Sequence, residues 1–203
     1  FRYSTKTNTE RVEPLSHSMK ILSGKYKGKE IKSPIGRDVR PTLARIRESI
    51  FNILIHRFHL VFNELIVLDL FAGSGSFGLE SISRGSDHTI FVDNNISSIK
   101  CINVNLARLG VVDNFTVIES DAVEFGINKN LLGQVNLAFL DPPYSTNLIA
   151  DSLLYMCQNR YLQKDALVVI ELARGQPFDI VEGFSWEHEV SHGKTSVIFL
   201  RYS

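Results

Sequence analysis

The stretch Asp69-Leu70-Phe71-Ala72-Gly73-Ser74-Gly75-Ser76-Phe77-Gly78 decides how this chain folds. An apolar run, residues 65–70, leads into it, and a helical pattern over 76–84 leads out, stopping at Gly85. The stretch therefore reads as a strand-to-helix turn. Residues 73–78 match G-x-G-x-x-G in full, and Asp93 stands 20 residues beyond Gly73 at the end of the next apolar run. Glycines permit a tight turn and a close ligand, and an acid at that spacing suits a ribose hydroxyl clamp. The motif fits a dinucleotide or another adenosine cofactor equally, and a bare strand-to-helix turn also satisfies it.

Outward from this turn, strands and helices alternate. Strands are expected over 65–70, 89–92, 115–119, 135–140 and 166–172. Helices are expected over 76–84, 96–109 (closed by Gly110) and 148–159. Residues 186–190 and 196–202 flank Gly193-Lys194 and read as a terminal hairpin. The pattern predicts an α/β, doubly wound, mostly parallel seven-stranded sheet ending in an antiparallel hairpin. Upstream, two short strand-like pieces flank residues 24–28 as a small basic hairpin. A helix capped by Thr42 runs to about Phe58, with Leu43, Ile46, Ile50, Phe51 and Leu54 on one face. Phe51, Phe58 and Phe62 are expected in the core, and Trp186 is expected to be buried in its hairpin; Glu171, after the fifth strand, is placed to approach the site, but an edge salt bridge is the expected reading.

A second motif follows the fourth strand of the main sheet: Asp141-Pro142-Pro143-Tyr144. Two prolines lock φ and remove two N–H donors. They hold a carboxylate, free carbonyls and an aromatic plate in one presentation. Such a corner suits the amino group of a planar base: Asp141 and the Pro142 carbonyl accept its hydrogens and Tyr144 stacks on the ring. A stiff loop capping the next helix is the plainer alternative.

Composition bounds the rest. The chain has 203 residues, 44% hydrophobic and 22% charged, which suits a globular domain with a real core. No apolar run approaches the roughly 20 residues a membrane span requires. Cys101 and Cys157 stand far apart with no CxxC pair, so reduced thiols in a cytoplasmic compartment are expected. The six histidines show no metal spacing, and no metal is expected. Net charge is zero, yet residues 19–47 hold nine basic residues against two acidic ones, a net +7. This is either a polyanion-binding edge or a solvated basic face. Arg45 and Arg47 fall near the positive end of their helix, placed for an anion. Residues 1–18 are polar and aperiodic. They read as an extension or tag remnant before Met19. Residues 19–58 read as a basic hairpin-plus-helix appendage, and 59–203 as the doubly wound domain.

D-L-F-A-G-S-G, Asp93, S-D-A at 120–122 and A-F-L-D-P-P-Y at 138–144 together resemble a class I S-adenosylmethionine-dependent amino-methyltransferase. With the basic S-G-K-Y-K-G-K hairpin and R-P-T-x-x-R-I-R-E-S-I-F-N-I-L at 40–54, the chain resembles the RsmD family of bacterial 16S rRNA guanine-N2 methyltransferases over about 19–202. The resemblance implies a Rossmann-like fold and direct methyl transfer to a guanine N2 amine. Asp69, Phe71, Gly73, Ser74 and Gly75 would form the methionine side of the cofactor cradle. Asp93 and Asn94 would serve the ribose, and Asp121 and Ala122 the adenine. Asp141, Pro142, Pro143 and Tyr144 would be catalytic. Lys25, Lys27, Lys29, Arg40 and Arg45 would face RNA. The implied partner is 16S rRNA within an assembling or assembled 30S subunit, acted on by a monomer. Competing readings are an adenine-N6 methyltransferase acting on DNA or RNA, which shares D-P-P-Y, an NAD-dependent oxidoreductase, and a nucleic-acid-binding module with a vestigial pocket.

Overall fold

The computed structural model describes residues 17–34, 41–143 and 146–203; Arg40 and Tyr144 lie outside the described residues. β1 (His17–Lys20) and β2 (Glu30–Ser33) form a separate antiparallel pair, with His17 opposite Ser33 and Lys20 opposite Glu30. Its first strand starts two residues ahead of Met19. Next comes α1 (Pro41–His56). The main sheet is built from β3 (Ile66–Leu70), β4 (His88–Asp93), β5 (Phe115–Glu119), β6 (Val135–Leu140), β7 (Leu162–Ala173), β8 (Phe184–His192) and β9 (Thr195–Tyr202). Between strands lie α2 (Ser76–Ser83), α3 (Ile96–Leu109) and α4 (Thr146–Gln158).

Strand order is β5-β4-β3-β6-β7-β9-β8. The first five are parallel, and β9 runs antiparallel to both β7 and β8. The expected doubly wound sheet and terminal hairpin are present. Order reverses between β3 and β6, and ligands in such sheets bind beyond the strand ends at that point.

Parallel strands are covered on both faces, which explains their unbroken apolar runs. On one face Leu68, Leu70, Ala138, Leu140, Val168 and Ile170 pack with Ile149, Leu153 and Met156 of α4. On the other, Val67, Leu137, Phe139 and Val169 pack with Ile46, Ile50, Phe51 and Leu54 of α1. Phe51 and Phe62 are buried as expected, and Phe58 packs at the margin of that cluster.

Three expectations about single residues fail, each for a physical reason. Trp186 is 46% exposed: it lies on the edge strand β8, which has one neighbour, and it stacks on Phe178 at 6.2 Å. Arg47 does not await an anion. It is 2% exposed and donates from Nη2 to the Lys20 carbonyl at 2.6 Å, because the hairpin folds down over that side of α1. Glu171 makes no salt bridge among the described residues; it stands on the strand beside Asp141, whose charge raises its proton affinity. β7 also begins four residues earlier than its hydropathy indicates. Its exposed Gln163-Lys164-Asp165 lies in the irregularity between the Val135–Leu162 and Leu137–Leu167 pairs, which apolar patterning does not report.

The β1–β2 hairpin is fastened to the body. Ile21 and Ile31 bury fully against Leu79, Phe91 and Ile102, a contribution of roughly 1.5–3 kcal/mol each. The fully buried Glu80 carboxylate accepts the Leu22 and Ser23 N–H groups at 2.7 and 3.0 Å and pairs with Arg84 at 2.9 Å.

Candidate active site

The cradle begins where β3 ends. Phe71, Gly73 and Gly75 all adopt left-handed conformations, with φ of 65°, 57° and 76°. For Phe71 that conformation is strained, and such strain clusters at functional turns. The turn aims its backbone at the sheet's carboxyl rim. Asp69, 3% exposed, accepts the Gly78 N–H at 2.8 Å. The N-cap position of α2 is Gly75, which has no side chain to cap with, so a strand carboxylate supplies the acceptor. Gly78 is required by packing: a Cβ there would lie 2.2 Å from the Phe91 ring.

Asp93 closes the cradle from β4. Its Oδ2 accepts the Gly73 N–H at 2.7 Å and its Oδ1 the Asn95 N–H at 2.8 Å. A carboxylate offers about four acceptor directions, so two remain for hydroxyl groups. Past β5, Asp121 Oδ1 accepts the Val123 N–H at 3.1 Å, and Asn94 Nδ2 lies 3.5 Å from Asp121 Oδ2. Asn94 and Asp121 thus meet at the rim. Ala122 is 5% exposed, and its N–H donates to no acceptor among the described residues. An unmet donor beside a half-buried carboxylate presents a donor–acceptor pair, the complement of an adenine edge. The strained glycine turn, a ribose acceptor and this pair follow one another along the rim. They fit S-adenosylmethionine on observations of the chain itself.

Asp141 follows β6 directly. Leu70 pairs with Leu140 in register, so Asp141 and Phe71 occupy neighbouring positions just beyond the switch point. Asp141 is exposed and engaged with other groups, Pro142 is half-buried, and Pro143 is exposed. Leu140 also pairs with Ile170, which sets Glu171 beside Asp141 on the next strand. Burial, and then the Asp141 charge, push the Glu171 carboxyl up to about 8. Two carboxyl groups converging on one corner resist sharing full negative charge. Its place after the fifth strand allowed an approach to the site, yet patterning favoured a salt bridge, because a Glu ending an apolar strand reads equally as a rim charge.

The RNA-facing expectations divide. Lys25, Lys27 and Lys29 are exposed at the hairpin turn, with Lys25 Nζ 5.2 Å from the Tyr26 ring centre. Arg45 is exposed and lines an open groove along α1 with Glu48, Ser49, Asn52 and Arg57. Asn105 was missed: its fully buried amide donates to the Ser74 carbonyl at 3.0 Å and the Lys32 carbonyl at 2.9 Å, and accepts the Lys32 N–H at 2.7 Å. It joins cradle to hairpin. Nothing in a lone helical Asn distinguishes it from a surface residue. No group of metal-ligating side chains occurs among the described residues.

Comparison with known proteins follows the same outline. A family model described as Conserved hypothetical protein 95 matches residues 19–201. Ribosomal RNA small subunit methyltransferase D of Escherichia coli K12 is 31% identical over 156 residues, covering 77% of this chain and 75% of that protein. The solved structure of yhhF from Escherichia coli superposes with a TM-score of 0.75 at 26% identity, covering 92% of this chain and 98% of that one. Magnesium protoporphyrin IX methyltransferase of Synechocystis PCC 6803, solved with bound S-adenosylmethionine, shares the fold at a TM-score of 0.61 and 14% identity. It covers 82% of each chain.

Proposed function

Because the chain belongs to the Conserved hypothetical protein 95 family, matched by this description over 19–201, we propose that it transfers a methyl group from S-adenosylmethionine to the exocyclic N2 amine of a guanine in small-subunit ribosomal RNA. The observation that carries this reading is the register of β3 with β6. It sets Asp141 of D-P-P next to the Gly73–Gly75 cradle at the switch point. Support for the RNA comes from the methyltransferase D relative and from exposed lysines on a rigidly docked hairpin. The substrate particle is an assembling or assembled 30S subunit, and the enzyme acts as a monomer.

When bound, S-adenosylmethionine supplies an electrophilic methyl group on a sulfonium. Gly73 to Gly75 would hold its amino-acid portion, Asp93 its ribose hydroxyls, and Asp121 with the Ala122 N–H its adenine. An exocyclic amine is a weak nucleophile because its lone pair is shared with the ring. Asp141 and the Pro142 carbonyl each accept one amine hydrogen and turn the lone pair toward the methyl carbon. Orientation of this kind is worth up to about 7–11 kcal/mol of the barrier. The cofactor would supply both the methyl group and, as a neutral thioether, its leaving group. The surplus proton on nitrogen passes to Asp141, whose charge also stabilises the developing cation.

The test uses labelled cofactor and small-subunit particles lacking the modification. Digestion is expected to yield N2-methylguanosine. Asp141→Ala should bind S-adenosylmethionine within a few-fold of wild type yet turn over at least 100-fold more slowly. Turnover within a few-fold of wild type would remove Asp141 from the chemistry, and N6-methyladenosine as product would replace the guanine reading.

A further inference from the structure

Glu171 is the chemistry-bearing group at this corner that the mechanism above leaves unused. Its direction follows from strand alternation. Val169 packs on the α1 face and Ile170 on the α4 face, so Glu171 returns to the α1 face. Val197, its partner across β9, also packs with the α1 cluster. Along β6, Phe139 packs on the α1 face and Leu140 on the α4 face, so the same alternation brings Asp141 to that side. The two carboxyl groups stand on adjacent parallel strands, each one residue past the Leu140–Ile170 pair. Parallel neighbours lie about 4.8 Å apart.

No hydrogen bond or ion pair engages Glu171 among the described residues, although it is half-buried. Half-burial strips part of the water from this carboxyl, and a donor from a ligand can take its place. Burial and the neighbouring Asp141 charge both raise the proton affinity of its carboxyl.

We propose that Glu171 reads the base next to the reacting amine, accepting the guanine N1–H while Asp141 holds the N2 amine. The inference rests on the guanine reading of the preceding subsection and names its specificity determinant. Guanine presents two adjacent donors, N1–H and N2–H, along one edge. Two acceptors on neighbouring strands match that pair. Above about pH 8, where Glu171 is ionised, a purine with a bare N1 beside its amine, such as 2-aminopurine or adenine, points a lone pair at the carboxylate and is repelled.

The experiment compares guanine with 2-aminopurine at the mapped target position in reconstituted small-subunit particles at pH 9, where Glu171 is ionised, for wild type and Glu171→Gln. 2-Aminopurine keeps the reacting amine and lacks the N1–H. Wild type should prefer guanine by about ten- to a hundredfold in kcat/KM. Gln can turn its amide NH2 toward a bare ring nitrogen, so the variant should narrow that preference about tenfold or more. Its affinity for S-adenosylmethionine, measured by calorimetry, should stay within about twofold, since Glu171 lies outside the cradle. Equal preference in wild type and variant overturns the assignment of Glu171 even if N2-methylguanosine is made. Absence of N2-methylguanosine from the wild-type reaction overturns the parent reading instead. A general loss of folding would lower activity on both bases alike and leave their ratio unchanged, so it cannot imitate the expected result.

Discussion

Gly73 donates its N–H to Asp93 Oδ2 at 2.7 Å, which turns a sequence spacing of 20 residues into a direct bond between two strand ends. The glycine turn after β3 and the acid after β4 are one unit. Asp93 therefore shapes the cradle as well as receiving the ribose. Asp93→Asn should bring an amide NH2 against a backbone donor or remove an acceptor from the sugar. Either way S-adenosylmethionine binding is expected to weaken about ten- to a hundredfold, roughly 1.4–2.7 kcal/mol. Isothermal titration measures it; binding unchanged within twofold would detach Asp93 from the cofactor.

Gly78 marks the tightest approach of α2 to the sheet. In Gly78→Ala the new methyl meets the Phe91 ring at 2.2 Å, with Phe91 itself fully buried. Neither partner has room to yield. A loss of about 1–3 kcal/mol is expected from overpacking, read as a lower urea midpoint at constant slope. Wild-type stability in this variant would mean that α2 shifts freely, contrary to the Asp69–Gly78 bond.

Lys25, Lys27 and Lys29 sit on a hairpin whose body is buried and whose turn is exposed. Replacing all three by Gln should leave folding intact and weaken RNA binding across sequences. The slope of log affinity against log salt should fall by about one for each phosphate that a lysine no longer neutralises. An unaltered slope would move the RNA to another face, such as the groove containing Arg45 and Arg57.

Glu171 carries a pH signature. Its folded-state value of about 8 lies above its ordinary 4.5, so the folded protein holds that proton more tightly than the unfolded chain. The resulting stabilisation is complete below about 4.5 and is lost as pH rises through about 8. Glu171→Gln is neutral throughout. Its melting temperature relative to wild type should therefore climb between pH 4 and pH 9, while base discrimination falls. A difference that stays flat with pH would show that Glu171 is not held in a proton-favouring site.

Much of this molecule was legible in its residue order. Apolar runs such as Ile66–Leu70 and Val135–Leu140 mark strands covered on both sides, and G-x-G-x-x-G and D-P-P-Y carry their meaning locally, because backbone conformation at glycine and proline depends on few neighbours. Local chemistry also placed Asp69, Asp93 and Asp141 at strand ends. The partners of Arg47, Glu80, Asn105 and Glu171 were not legible. Arg47 and Glu80 are charged residues on helices, and amphipathic patterning alone assigns them to solvent.

What the amino-acid order determined is therefore the set of elements and the two motif-bearing turns, since both arise from interactions over a few residues. The tertiary structure decided how those turns work together. Strand register brought Asp141 beside Phe71 and Glu171, and buried polar contacts through Glu80 and Asn105 fixed the hairpin to the cradle. Such pairings join residues 30 to 73 positions apart. Their strength comes from burial and alignment that exist only once the sheet has closed on its helices.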